Sequence, residues 1–164
     1  MSNITTAQTI ISLPLRRIFQ GQMFVGAQEN SLTSGQTRYY GIRTQDYPLH
    51  FGYEISFEHE ATGTLYKDST NSGGTALTSK NVNTISTETM DTIIWVNPTV
   101  SVVGNVWTKQ QWGDNTGTVY GNTNVGGRVE GYILKANSSY TLQLDEESAS
   151  TNEYAITFGF FNHV

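Results

Sequence analysis

Three histidines and a set of glutamates are the residues of this chain whose side chains could perform acid–base or metal chemistry. The histidines, His50, His59 and His163, are scattered along the sequence, and the chain has no cysteine. His59-Glu60 begins like the His-Glu-x-x-His motif of zinc proteases, but Gly63 stands where the second histidine is needed. The sequence therefore predicts no zinc-protease site, no disulfide and no cysteine-bound metal.

The glutamates Glu54, Glu58 and Glu60 lie at alternating positions, so with His50 they would line one polar face of a strand. Such a face could hold a metal or supply an acid–base pair. Alternating polar positions are also the ordinary wet side of an antiparallel strand. No nucleophile elbow, glycine-rich phosphate loop or complete calcium loop occurs elsewhere. We therefore predict a protein that is not an enzyme, with no catalytic residue, metal site or cofactor.

Four large aromatic residues could form a platform that stacks on a sugar ring: Trp95, Trp107, Trp112 and Tyr120. Large aromatic side chains more often serve a hydrophobic core or a protein interface. Both interpretations stay open at the level of the sequence.

Strands must position these residues, because the composition disfavours helices. Only 14% of the 164 residues are charged, against about 25% in an average globular protein. Threonine, glycine, serine and asparagine take the place of the lysine, glutamate and alanine that favour helices. From Gln22 onward, alternating apolar runs follow one another between turn sequences, and the clearest is residues 50–58.

The number of such runs predicts a single all-β domain. We expect an antiparallel double-sheet β-sandwich of the jelly-roll type over residues 21–164, preceded by an extended N-terminal arm over residues 1–20. A polar segment, residues 67–90, interrupts the strand pattern and contains Leu77, Asn81 and Asn83. We interpret it as a long loop with a function, since compact domains rarely keep such loops otherwise.

The arm combines apolar side chains with Arg16 and Arg17, two of the nine basic residues. Pro14 favours an extended backbone before it, and a segment this short cannot bury its own apolar residues. Those residues therefore need a partner surface, and arginine suits bidentate pairing with carboxylates. The alternative is that the arm packs on the edge of its own domain. The apolar residues concerned are Leu13, Leu15, Ile18 and Phe19.

Charge and hydropathy narrow the range of partners. The net charge of −5 disfavours nucleic acid, which is bound through basic patches. The apolar runs are too short to cross a membrane, and the first residues lack the features of a signal peptide. With little charge to protect its open strand edges, the sandwich is expected to form a homodimer or homotrimer.

From Gln22 to Phe161 the chain resembles a family of small jelly-roll decoration proteins, also called cement or stapling proteins, of tailed bacteriophages. Three stretches carry the resemblance. They are Ala61–Lys67, then Gly73–Thr78 with Asn81-Val82-Asn83, and finally Tyr132–Leu142 followed by an aromatic last strand. Thr84 departs from the pattern, which would have an arginine after the second asparagine.

The resemblance implies a virion structural protein that is made in the host cytoplasm and sits on the outer surface of the capsid. There it would bind the major capsid protein and stabilise the head. Two alternatives remain, a carbohydrate- or receptor-binding module of a phage fibre and a cupin-type enzyme. The residues expected at the interface with the capsid or a neighbouring copy are Leu13, Leu15, Arg16, Arg17, Ile18, Phe19, Leu77, Asn81 and Asn83.

Overall fold

The computed structural model describes residues 20–112 and 131–162, and this part of the chain consists of strands and turns without helices. It accordingly offers no helix that could cross a membrane. The predicted all-β class is confirmed. The strands are β1 (Phe24–Leu32), β2 (Thr37–Arg43), β3 (Leu49–Phe57), β4 (Ala61–Lys67), β5 (Thr70–Ser72), β6 (Thr75–Ala76), β7 (Lys80–Asn81), β8 (Ile94–Val96), β9 (Thr99–Val102), β10 (Asn105–Trp112), β11 (Tyr132–Leu134), β12 (Ser139–Glu146) and β13 (Asn152–Asn162).

Two antiparallel sheets make up most of the fold. A five-stranded sheet has the order β11-β3-β13-β1-β7, and a six-stranded sheet has the order β10-β4-β12-β2-β8-β6. The long strands pair in a nested way, β1 with β13, β2 with β12, β3 with β11 and β4 with β10. Nested pairing shared between two sheets is the arrangement of a jelly roll, so the predicted sandwich is confirmed.

The core lies between the two sheets and follows the alternation seen in the sequence. Every second side chain of β3 from Phe51 to Phe57 is buried, and β13 contributes Ile156, Phe158 and Phe160 from the adjacent strand. Aromatic rings meet across the core, as in the pair Tyr40 on β2 and Phe158 on β13, whose centroids are 5.3 Å apart. Burying these apolar side chains is the main source of stability.

Residues 67–90 differ from the single long loop that the sequence predicted. The segment contains β5, β6 and β7, which have two or three residues each and pair with β9, β8 and β1. Strands this short show no alternating period, and their partners are distant in sequence, so the pattern could not reveal them. The segment is consequently fastened to other strands at three points.

Asn71 ties the small β5–β9 sheet to the outer face of the six-stranded sheet. Its Nδ2 donates to the carbonyl oxygen of Tyr140 at 2.9 Å and to Oγ1 of Thr141 at 3.0 Å. Its Oδ1 accepts from Nε of Arg43 at 2.8 Å. Gly41 makes room for this contact, because a Cβ at that position would lie 2.5 Å from the Asn71 oxygen.

Replacing Asn71 with alanine is expected to lower the free energy of unfolding by about 2–4 kcal/mol, since three hydrogen bonds are lost at a buried site. Urea denaturation measures the difference. Asn105→Ala is the matched control, because Asn105 is exposed and donates one 3.3 Å bond to Asp68; its effect should stay within about 0.5 kcal/mol. Equal effects of the two substitutions would contradict the role given to Asn71.

Buried tyrosines make the fold sensitive to alkaline pH. The hydroxyl groups of Tyr40 and Tyr154 are 2.8 Å apart in the core. Burial raises the pKa of both, and the hydrogen bond with Tyr154 raises the pKa of Tyr40 further. Burial likewise raises the pKa of Tyr53, which lies beside Tyr132. In each case the folded chain holds the phenol proton more tightly than the unfolded chain does.

The stabilisation from these raised pKa values is complete below the unfolded tyrosine pKa of about 10 and is lost as the pH rises above it. We therefore expect the free energy of unfolding to fall steeply above about pH 10, and less steeply in Tyr40→Phe, which has one such phenol fewer. Tyr47→Phe alters a tyrosine that is 58% exposed, and it should keep the wild-type slope. A wild-type slope in Tyr40→Phe would contradict the assignment.

Candidate functional site

The loop of residues 81–88 contacts residues 21–23, here called the arm root because they stand between the arm and β1 in the sequence. Asn81 Nδ2 donates to the carbonyl oxygen of Gly21 at 2.6 Å, and Ser86 Oγ donates to the same oxygen at 3.5 Å. The backbone N–H of Val82 donates to the carbonyl oxygen of Met23 at 2.9 Å. The 81–88 loop is thus fastened to the first residues of the described domain.

Asparagine side chains hold the backbone of this 81–88 loop. Asn81 Oδ1 accepts from the N–H of Asn83 at 2.9 Å, and Asn83 Oδ1 accepts from the N–H of Ile85 at 3.2 Å. Ser86 Oγ accepts from the N–H of Glu88 at 3.1 Å. Such bonds replace those of regular structure in turns, so the loop has a defined shape without forming a strand or helix.

The fixed loop presents apolar side chains to water. Ile85 is 89% exposed and Val82 is 37% exposed. Exposed apolar residues on a preorganised backbone favour binding, because little conformational entropy is lost when a partner covers them. The sequence reasoning selected the asparagines and missed Ile85. The sequence signal for Ile85 is that it and Val82 are the only apolar residues in the otherwise polar stretch 81–88.

The other residues predicted for the interface have different positions. Leu77 is half-buried, packs on the core beside Gly26, and donates its N–H to the carbonyl oxygen of Ile94 at 2.9 Å. The half-buried Asn81 and Asn83 organise the loop. Contact of these three with a partner stays a prediction. The six arm residues lie outside the described part of the chain: Leu13, Leu15, Arg16, Arg17, Ile18 and Phe19.

Of the four aromatic residues considered as a sugar platform, the two whose side chains the structure describes do not come together. Trp95 on β8 and Trp107 on β10 are separated by three intervening strands of the six-stranded sheet, a distance of about 19 Å. The guanidinium of Arg43 lies 4.2 Å from the centre of the Trp95 ring and covers it. The side chain of Trp112 and all of Tyr120 are outside the described part of the structure.

An open strand edge forms a second exposed surface. Within the described residues, β10 pairs only with β4, and Lys109 is its one charged residue. Val106 on this strand is 58% exposed, and Trp107 is 36% exposed with its ring 5.0 Å from that of Tyr132. A long edge with so little charge is suited to pairing with another chain.

The polar face predicted for β3 is only partly polar. His50 is 8% exposed and stacks on Phe161, with ring centroids 4.5 Å apart. The expectation of a solvated histidine is therefore wrong, because aromatic packing buries it. In residues 20–112 and 131–162, no three histidine, aspartate or glutamate side chains are placed to share a metal ion.

No protein-family model matches this chain, and no curated protein sequence matches it. Its function is therefore argued from the two exposed surfaces, the 81–88 loop and the edge of β10.

Replacing Asn81 with alanine should loosen the 81–88 loop, because it removes the bonds to Gly21, Glu88 and the N–H of Asn83. We expect amide hydrogen exchange at Asn83 and Ile85 to accelerate at least about tenfold, with little change in the core strands. Asn30→Ala is the control, since Asn30 bonds only the adjacent N–H in the described structure. Unchanged exchange in the Asn81 variant would contradict a loop held by this side chain.

Proposed function

We propose that this protein is a non-enzymatic virion structural protein that binds the outside of the major capsid protein lattice of a tailed bacteriophage and stabilises the head. The observation that supports this proposal most is the 81–88 loop, which holds the exposed Ile85 on a fixed backbone beside the root of the arm. A jelly roll with a preorganised apolar projection is suited to docking into a pocket on a large protein surface.

The surface chemistry also fits such a role. Few charges have to be desolvated when a polar, weakly charged surface is covered, and uncharged side chains supply many hydrogen bonds. Repetition of one modest contact over a symmetric lattice raises the overall affinity when copies are linked to each other. The hydrogen bond from Asn81 to Gly21 holds the 81–88 loop beside the arm root, so that both can contact the same surface of a partner.

Self-association belongs to the proposal as well. The β10 edge, with Val106 and Trp107 exposed, offers a surface on which a second copy can add. We expect a homodimer or homotrimer, since closed symmetric assemblies protect open edges.

A carbohydrate- or receptor-binding module of a phage fibre is the second candidate. The contact of Trp107 with Tyr132 at an open edge is the observation that favours it, because an exposed indole face can stack on a sugar. In that case Trp107→Ala would abolish glycan binding, and substitutions in the 81–88 loop would leave it unchanged.

Replacing Ile85 with aspartate tests the capsid proposal. We expect the affinity for capsids purified without this protein to fall about 10- to 100-fold, because an apolar anchor is replaced by a charge. Co-sedimentation with the capsids measures the change, and circular dichroism verifies the fold. Because Ile85 is 89% exposed, we expect the substitution to leave folding unchanged.

Ile133→Asp is the matched control, since Ile133 is 54% exposed on β11, away from the 81–88 loop. It should bind like wild type. Equal affinities of wild type and Ile85→Asp would remove the loop from the binding surface. Failure of the wild-type protein to bind any capsid lattice would overturn the proposed function itself.

A further inference from the structure

A half-buried arginine of β2 has no acidic partner among the described residues. Arg38 stands in the same row of β2 as Tyr40 and Ile42, which are both 0% exposed, so its side chain enters the space between the sheets. Its Nε is buried without a hydrogen-bond partner. Its Nη2 donates one long bond, 3.4 Å, to the carbonyl oxygen of Ser31 on β1. A guanidinium does not lose its charge in proteins, so this charge is uncompensated within the described structure.

Arg43, on the same strand, shows how a fully bonded arginine is held in this fold. Its Nε donates to Oδ1 of Asn71 at 2.8 Å, and its Nη2 donates to the carbonyl oxygen of Gly73 at 2.7 Å. Its guanidinium also lies 4.2 Å from the centre of the Trp95 ring. Buried donors are normally bonded in this way, because an unpaired one is costly. Of the two arginines in the described part of the chain, Arg38 alone keeps its donors available for a ligand.

Arg38 lies in the opening of the sandwich between β1 and β2. In the first row of this opening, Leu77 packs beside Gly26 and closes the space with an apolar side chain. In the second row, Gln28 Oε1 accepts from the hydroxyl of Tyr40 at 3.0 Å. In the third row, the guanidinium itself stands between the two strands. Neutral contacts therefore fill two rows of the opening, and an unpaired charge occupies the third.

The edge of β1 next to this guanidinium is unpaired among the described strands, since β7 pairs only with the first two residues of β1. The carbonyl oxygen of Met23 accepts from the N–H of Val82, and the carbonyl oxygen of Ser31 faces the same side of the strand. Alternate residues direct their backbone groups to one side of a strand. The N–H and C=O groups of the exposed Ala27 and Glu29 therefore also face this side. We call residues 27–31 the open β1 edge.

We propose that the open β1 edge and Arg38 form a binding site for an extended segment of a partner protein that carries an aspartate or glutamate. An extended segment can add to a sheet edge through backbone hydrogen bonds. Its side chains then alternate in step with those of β1, so those beside Gln28 and Asn30 face the opening. An acidic side chain there accepts from the Nη groups of Arg38 in the paired geometry that suits a guanidinium. The pair compensates the charge of the arginine.

Charge favours a carboxylate over a phosphate at this site. Arg38 supplies one positive charge, and the exposed Glu29 lies on the edge itself. Lys80 pairs with Val25, about 20 Å along β1 from Ser31, and is too distant to add a second charge. One guanidinium matches the single charge of a carboxylate, whereas Glu29 would repel a doubly charged phosphate. The site is separate from the 81–88 loop, and the inference does not depend on capsid binding.

Stability distinguishes a binding arginine from a structural one. The urea midpoint of Arg38→Met should equal or exceed that of the wild-type chain, because the substitution removes a charge without a partner. Arg43→Met is the matched control, and it should lower the midpoint, because it removes the contacts with Asn71, Gly73 and Trp95. A fall in Arg38→Met as large as that in Arg43→Met would overturn the proposal by making Arg38 part of the framework.

Selection from a displayed library of random peptides of about six residues, a usual strand length, tests recognition by the full chain. Peptides that Arg38→Met also retains are discarded, and we expect the remainder to share an aspartate or glutamate at one position. In the tightest peptide, replacing that residue by its amide should weaken binding about tenfold, as should Arg38→Met in the protein. The two changes together should cost no more than either alone. Lys109→Met removes the same charge from an exposed position of β10 and should bind like wild type.

Amide hydrogen exchange locates the bound peptide. We expect exchange at Ala27 and Glu29 to slow at least about tenfold in the complex, with no change along β10. A selection that yields no acidic peptide, or protection along β10 instead of β1, would overturn the proposal. Displacement of the peptide by an equal concentration of inorganic phosphate would assign the site to a free anion and overturn it. Protection of the same amides that grows with protein concentration alone would assign the edge to a second copy and also overturn it.

Discussion

The antiparallel pairing of β1 with β13 is the constraint on which the rest of the structure depends. It places the first and last strands of the described domain side by side within the five-stranded sheet, from Phe24 opposite Phe160 to Leu32 opposite Asn152. Between these two strands along the chain, β2 pairs with β12, β3 with β11 and β4 with β10, which completes the nested arrangement of the jelly roll. A register slip of one residue would turn the core side chains of both strands to the wrong face.

The same pairing helps to position the 81–88 loop. On its inner side, Phe24 and Phe160 lie 6.3 Å apart in the core. On its outer side, Val25 lies opposite Gly159. Along its other edge, β1 pairs with β7, with Phe24 opposite Asn81. Because Asn81 begins the 81–88 loop, the position of Ile85 is fixed relative to the arm root by a short chain of hydrogen bonds.

The sequence predicted the elements whose side chains repeat and missed those that depend on distant partners. The alternation from Phe51 to Phe57 predicted strand β3 and its buried face. Similar alternations in other segments predicted the sandwich. β7, for example, has only two residues, and it forms a strand because it pairs with β1. No sequence motif singles out Asn71, because its buried bonds to Tyr140 and Thr141 join segments far apart in the chain. The period of β3 predicts a wet position for His50, and it cannot reveal the stacking on Phe161 that helps to bury this ring.

The role proposed for this protein, binding to a repeating surface, depends on the exposed Ile85 of the hydrogen-bonded 81–88 loop. The number of copies of this protein in each particle tests the proposed role most directly. Quantitative mass spectrometry of purified particles from the source of this sequence measures the amount of this chain relative to the major capsid protein. We expect a fixed, near-stoichiometric ratio of this chain to the major capsid protein, set by the capsid lattice. Absence from the particles, or a few copies per particle as expected for a fibre module, would contradict it.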